Sequence, residues 1–159
     1  RFANEFILKN KKRRIIMNNR QLWRSIKDKN FMINDFTPDI NILIGSENIY
    51  MEFSFNVLYT NGPLHNQKII ADILILKDYS VEVYVKMKNP KYNKNDKYDN
   101  EFYYAYRKLF HSNEVLPLFK KYKTDGCSIH EFKNILVDKL LIDVLDYTNT
   151  YYKTESHHI

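Results

Sequence analysis

Three runs decide the fold: Tyr50-Met-Glu-Phe-Ser-Phe-Asn-Val-Leu-Tyr59, Lys68-Ile-Ile-Ala-Asp-Ile-Leu-Ile-Leu76 and Ser80-Val-Glu-Val-Tyr-Val-Lys-Met-Lys88. The first and third alternate apolar and polar residues, the pattern of strands with one buried and one wet face. The middle run is nearly continuous apolar, as in a strand covered on both faces. The connections, one holding Asn61-Gly62-Pro63 and the other Lys77-Asp78-Tyr79, are short, so the strands form an antiparallel meander.

Working outward, residues 1–29 read as a basic helical segment, with Ile15, Ile16, Leu22, Trp23 and Ile26 as a broken apolar stripe. Asp35-Phe-Thr-Pro38 breaks it, because proline restricts both itself and the residue before it. Asp39 to Ile44 reads as a further short strand, giving four. Beyond Pro90, residues 91–100 are polar and aperiodic, a surface insertion of the composition that favours disorder. Glu101 to Phe110 reads as a short aromatic helix on the spacing of Phe102, Tyr106 and Leu109, and Asn113 to Tyr122 as another segment interrupted by Pro117. Ser128 with Glu131 forms a capping box, and Ile129, Phe132, Leu136, Leu140 and Val144 continue a long helix to about Tyr147. The expected fold class is α+β: an N-terminal helix, a four-stranded antiparallel meander and a long C-terminal helix packed on the sheet. The expected organisation is a basic segment over 1–29, one domain over 30–147 and a polar, fraying tail over 148–159 with His157 and His158 in it.

A chain of 159 residues is long enough to bury a core without a metal or disulfide. The single cysteine, Cys127, rules out an internal disulfide and a multi-cysteine zinc site, and fits an intracellular, reducing compartment, cytoplasm or nucleus. The sequence begins at Arg1 rather than methionine, so a targeting segment preceding it stays open. No run approaches the roughly 18 apolar residues of a membrane span. The formal charge of +6 concentrates early, in Lys9, Lys11, Lys12, Arg13, Arg14, Arg20 and Arg24. Such a cluster serves nucleic acid, an acidic protein or an anionic surface, or is simply a solvated helix face. The bias towards Asn, Lys, Ile and Tyr inflates lysine in any case.

The order of elements resembles the ubiquitin-conjugating (E2, or UBC) fold and its non-catalytic relatives, the E2 variants and RWD domains. Lys12-Arg-Arg-Ile-Ile16 looks like the basic opening of that family's first helix, which in active members meets the activating enzyme. Ser46-Glu-Asn-Ile-Tyr50 leading to Phe53 and Phe55 is similar to the entry of its second strand. Asn61-Gly62-Pro63 lies where the family has a Gly-Pro turn, and Asp78-Tyr79 with Val81, Val83, Val85 and Met87 looks like its tyrosine turn and fourth strand. Ser128 to Leu136 looks like the helix after its active site. The departures are as informative. Where active members carry His-Pro-Asn this chain has Asn89-Pro90-Lys91, and the segment that should hold the nucleophile offers Tyr98-Asp-Asn-Glu101. Neither Asp99 nor Asn100 replaces a thiolate. The resemblance therefore implies a module that binds protein rather than an enzyme. Its expected partners are a ubiquitin-like modifier, an activating enzyme (E1) or a catalytic E2. The residues it would use are Lys11, Lys12, Arg13, Arg14 and Arg20, an exposed sheet edge, or the aromatic segment with Tyr103, Tyr104 and Tyr106.

Two other classes stand beside it. A divergent conjugating enzyme would use Cys127, next to the start of the long helix and three residues from His130. A nucleic-acid-binding α+β module would use lysines among the thirteen tyrosines and ten phenylalanines. Asp72, Glu82 and Lys86 echo the acidic-acidic-lysine set of a metal-dependent nuclease, but Tyr84 stands where the usual Glu-x-Lys pair needs lysine. Phe119 to Phe132 has the cadence of a calcium loop, yet its first and twelfth positions, which need oxygen ligands, fall on Tyr122 and Lys133, and its sixth, which needs glycine, on Cys127, so it would not bind calcium. No cofactor or metal is expected: there is no Gly-rich phosphate loop and no ligand cluster.

Overall fold

The computed structural model describes residues 23–25, 29–35 and 48–152. The basic residues Lys11, Lys12, Arg13, Arg14 and Arg20, the strand expected over Asp39 to Ile44, and the last part of the tail, residues 153–159 with His157 and His158, lie outside them.

Among the described residues, six strands follow one another in an antiparallel sheet whose spatial order is their chain order. They are β1 (Trp23–Ser25), β2 (Phe31–Asp35), β3 (Ile49–Tyr59), β4 (Ile69–Leu76), β5 (Val81–Lys88) and β6 (Phe102–Phe110). Three helices follow: α1 (Ser112–Thr124), α2 (Ile129–Leu136) and α3 (Ile142–Tyr151), the last two joined by a π-helical turn (Val137–Leu141). The α+β class, the meander and the C-terminal helix agree with the sequence reading. The strand count does not.

Alternation works as expected in the centre. Phe53, Ile73 and Val83 lie in one cross-strand row, Phe55, Ala71 and Val85 in the next, and Val57, Ile69 and Met87 in a third. All nine side chains are buried on the face that the helices cover. Cross-strand rows of β-branched and aromatic side chains are the unit of sheet stability. From the helices come Val115, Phe119, Phe132, Leu136, Leu140, Leu141, Val144 and Leu145. Phe119 meets Phe132 with ring centroids 5.4 Å apart, and Tyr122 stacks on Phe132 at 4.4 Å.

Three corrections concern elements. Trp23–Ser25, read as part of a helix, is a strand paired with β2 in the register Trp23↔Asn34. The signal was the alternation Phe31-Met32-Ile33, which sends Phe31 and Ile33 into the core and makes β2 a partner for β1. The segment Glu101–Phe110, read as a helix, contains β6, paired along β5. A register shift between Val85 and Lys86 leaves Ala105 without an opposite residue, a β-bulge. The bulge resets the alternation by one residue, so no period-two pattern runs the length of the strand, and Phe102, Tyr106 and Leu109, whose spacing suggested a helix, do not share a face. Finally, helix continues through Thr148–Tyr151, and both Thr148 and Asn149 are buried rather than fraying.

The capping box is present: Ser128 Oγ accepts from the Glu131 N–H at 3.1 Å and Glu131 Oε1 from the Ser128 N–H at 3.0 Å. Those bonds hold the Glu131 carboxyl below its ordinary pKa. The buried stripe then repeats every fourth residue, at Phe132, Leu136, Leu140, Val144 and Thr148. A helix of 3.6 residues per turn lets such a stripe drift around its axis. The wider π turn takes back that drift and keeps the stripe on the sheet.

Residues 89–101, the β5–β6 connection, are mostly exposed and held by local bonds in which Asn and Asp side chains accept from the backbone: the Lys91 N–H donates to Asn89 Oδ1, the Asn95 N–H to Asn93 Oδ1 and the Tyr98 N–H to Asp96 Oδ1. This is the Asx-turn chemistry that lets a polar loop turn repeatedly without a core.

Candidate protein-binding groove

The sheet ends at β6, and no described segment pairs with its outer edge. Five of its nine residues, Phe102-Tyr-Tyr-Ala-Tyr-Arg-Lys-Leu-Phe110, are aromatic. Two features that the sequence offered as separate binding surfaces, a sheet edge and an aromatic segment, are therefore one element.

The register assigns its side chains to faces. Tyr103, Tyr106, Lys108 and Phe110 lie opposite Met87, Val85, Val83 and Val81, on the helix-covered face. Phe102, Tyr104, Arg107 and Leu109 lie opposite Lys88, Lys86, Tyr84 and Glu82, on the other. Of the three tyrosines expected to bind a partner, the structure brings Tyr103 and Tyr106 together and puts Tyr104 behind them.

On the covered face, β6 and α3 enclose a groove. One part, about 410 Å³, is lined by Tyr106, Lys108, Phe110, Lys139, Asp143 and Tyr147 among others. A smaller part, about 180 Å³, continues along Ala105, Tyr106, Tyr147, Tyr151 and Tyr152. Tyr106 and Tyr147 line both. Their rings are 5.1 Å apart, Tyr147 and Tyr151 are 4.8 Å apart, and the Tyr103 and Tyr152 hydroxyls lie at 3.3 Å. Burial raises the pKa of the Tyr103 phenol, keeping it neutral. Tyr147 and Tyr151 remain 48% and 66% exposed. Such rings combine a large apolar body with a polar tip at little entropic cost, the usual anchors of an interface. The sequence reading missed Tyr147; its signal was the four-residue spacing to Tyr151, which puts both on one helix face.

The groove is held in place by polar bonds buried under α3. Tyr59 Oη donates to the Leu145 carbonyl at 2.7 Å. Asn149 Oδ1 accepts from the Leu64 N–H at 3.1 Å while its Nδ2 donates to the Asn61 carbonyl at 2.8 Å. Gly62 sits between them at φ +95, where an added Cβ would lie 2.4 Å from Asn149 Nδ2. The Asn61-Gly62-Pro63 turn is thus a seat for α3.

The other face of the sheet carries a charged cluster. Lys86 Nζ lies 2.5 Å from Asp72 Oδ2, and Ser54 Oγ donates to Asp72 Oδ1 at 2.8 Å. Burial, then repulsion from Asp72, raises the Glu52 carboxyl above its ordinary pKa, while Lys86 pulls it back. Tyr84 Oη donates to Glu82 Oε1 at 2.8 Å, and burial followed by that bond pushes the phenol up to about 12. The nuclease set is therefore not assembled: Asp72 and Glu82 have separate partners, and no group of metal-binding side chains forms among the described residues.

Cys127 is half-buried against the core in the turn before α2, and no hydrogen bond joins it to the exposed His130. The nucleophile–base pair imagined from the sequence is not formed. Among the described residues no helix is long and apolar enough to cross a membrane. The chain matches no family model, no curated protein and no solved structure.

Proposed function

We propose that this chain is a non-catalytic protein-binding module that takes an extended segment of a partner protein along the outer edge of β6. The observation that carries the reading is the coincidence of sheet edge and aromatic strand, with a tyrosine-lined groove beside it. Strand addition supplies affinity through main-chain hydrogen bonds, and pockets for alternate side chains supply specificity. The bulge at Ala105 leaves Tyr106–Phe110 as the regular part of the edge. Arg107 and Lys108 in that part disfavour pairing with a second copy, which would bring like charges together, and favour an acidic strand.

The resemblance of the sequence to non-catalytic E2 variants and RWD domains supplies the partners to try first: a ubiquitin-like modifier, an activating enzyme or a catalytic conjugating enzyme. An intracellular, reducing location is part of the same proposal and rests on the lone cysteine.

The test is a selection from a displayed library of eight-residue segments, with ubiquitin-like modifiers assayed in parallel. The expected binders carry apolar residues at alternate positions with acidic residues between them, and lose affinity about tenfold or more on Tyr147→Ala. Binders indifferent to Tyr147→Ala and to charge reversal at Lys108 would overturn the reading. So would a preference for RNA whose affinity falls steeply with salt.

A further inference from the structure

A second groove lies away from β6, between the β4–β5 turn and α1. It encloses about 700 Å³ and is floored by Tyr79, Leu116, Pro117 and Phe119, with Lys120 and Lys123 on its rim and no carboxylate among its lining residues. We propose that it is an independent docking site for an acidic protein segment bearing an apolar or aromatic anchor side chain.

The first argument is backbone conformation. Leu76 O accepts from the Tyr79 N–H at 2.9 Å, and the Leu76 N–H donates to Ser80 O at 2.9 Å, closing a tight hairpin turn. Tyr79 sits in it at φ +68, where glycine or asparagine is the residue of least strain. A bulky residue held there marks a place where local preference yields to another requirement. The turn is pinned from within: Asp78 Oδ1 accepts from both the N–H and the Oγ–H of Ser80, at 2.9 and 2.6 Å. The result is that the Tyr79 ring lies 5.1 Å from Phe119 and becomes one wall of the groove.

The second argument is charge. Lys123 Nζ lies 4.8 Å from the Tyr79 ring centroid and donates to its hydroxyl at 2.6 Å, which holds the ammonium over the groove mouth. Lys120 lines the same groove, so two cations bound an apolar floor. An acidic segment complements this field; a basic one or a second copy of this basic chain does not. One side of the Tyr79 ring faces Phe119, and the Lys123 ammonium sits at its hydroxyl end; the aliphatic floor of Leu116 and Pro117 suits an apolar anchor side chain of a protein better than a nucleic-acid base. The third argument is apolar exposure: Leu116 is 48% exposed beside Pro117 on the same helix face of the groove.

The experiment titrates ¹⁵N-labelled chain with an acidic peptide in which Leu-Phe is flanked by glutamates, with its lysine counterpart, and with a thymidine oligonucleotide. The expected result is saturable shifts at Tyr79, Leu116, Phe119, Lys120 and Lys123 with the acidic peptide alone. Binding should weaken about tenfold or more in the Lys120→Glu, Lys123→Glu double variant. Tyr79→Asn, which keeps the turn but removes the ring, should abolish binding while shifts in the free protein change only around the β4–β5 turn and the Phe119 and Lys123 it touches. Equal binding of the basic peptide, preference for the oligonucleotide, self-association through these residues, or no saturable shift there would each overturn the proposal. None of these variants touches β6, so this result and that of the β6 test are separable.

Discussion

Asn149 fixes where α3 sits, and so where the groove lies. Its amide spans two backbone groups that are far from it in sequence, the Leu64 N–H and the Asn61 carbonyl. Leu64 is fully buried, so Asn149→Ala leaves its N–H without a partner and out of reach of water. An orphaned buried group costs about 1–3 kcal/mol, and the part-buried carbonyl adds a smaller amount, so the variant should lose about 2–4 kcal/mol. For a chain of this size that is a fall of roughly 6–12 °C in melting temperature. Gly62→Ala should be costly for a different reason. Its Cβ would meet the Asn149 amide at 2.4 Å, and alanine at φ +95 is itself strained. With Asn149 truncated the collision disappears and only the backbone strain, about 1–2 kcal/mol, remains. The two losses must therefore be less than additive, by about 1 kcal/mol or more. Urea denaturation of the wild type, both single variants and the double variant measures the cycle. Additive losses, or a loss below about 0.5 kcal/mol for Asn149→Ala, would refute this view of the seat.

Three further outcomes follow from particular groups. The Tyr59 phenol is buried, and burial raises its pKa above the ordinary value of about 10. Its contribution to stability is therefore complete below about pH 10 and is lost as pH rises beyond it; Tyr59→Phe should cost about 1 kcal/mol at pH 7 and flatten the alkaline decline in a thermal-melt series. The Glu52 carboxyl is also raised, so its favourable contribution is present below its unfolded pKa and lost as pH climbs through the folded one. Glu52→Gln should thus be the more stable protein at pH 7, by less than about 1 kcal/mol after solvent screening, with the gap closing near pH 4 in urea midpoints. Ser128→Ala removes the side-chain acceptor at the start of α2 and should cost about 1 kcal/mol by the same denaturation.

The sequence was legible where one local signal governed the outcome. Met51 to Tyr59 and Val81 to Met87 face the core by simple alternation, and the helix that begins after Ser128 announces itself by its capping box. It was misleading where a long-range constraint altered the period. Ala105 interrupts the alternation of β6, so no unbroken period-two pattern marked the strand; the better signal was composition, since tyrosine and phenylalanine favour strands. The π turn hides in ordinary helical residues. Asn149 looked like tail because its partners are not local: it bonds residues 85 and 88 positions away. The groove followed the same rule. Tyr103 and Tyr106 were visible as an aromatic cluster, but Tyr147 joins them only through the packing of α3 on the sheet.

The most direct test of the central claim is amide hydrogen exchange, residue by residue, across Tyr106–Phe110 with and without a selected eight-residue binder. If the binder adds as a strand, exchange at the outward-facing amides of this segment slows together, and the same residues lose that protection on Tyr147→Ala. Unchanged exchange along β6 in the presence of a saturating binder would contradict strand addition and with it the assignment of this edge as the binding surface.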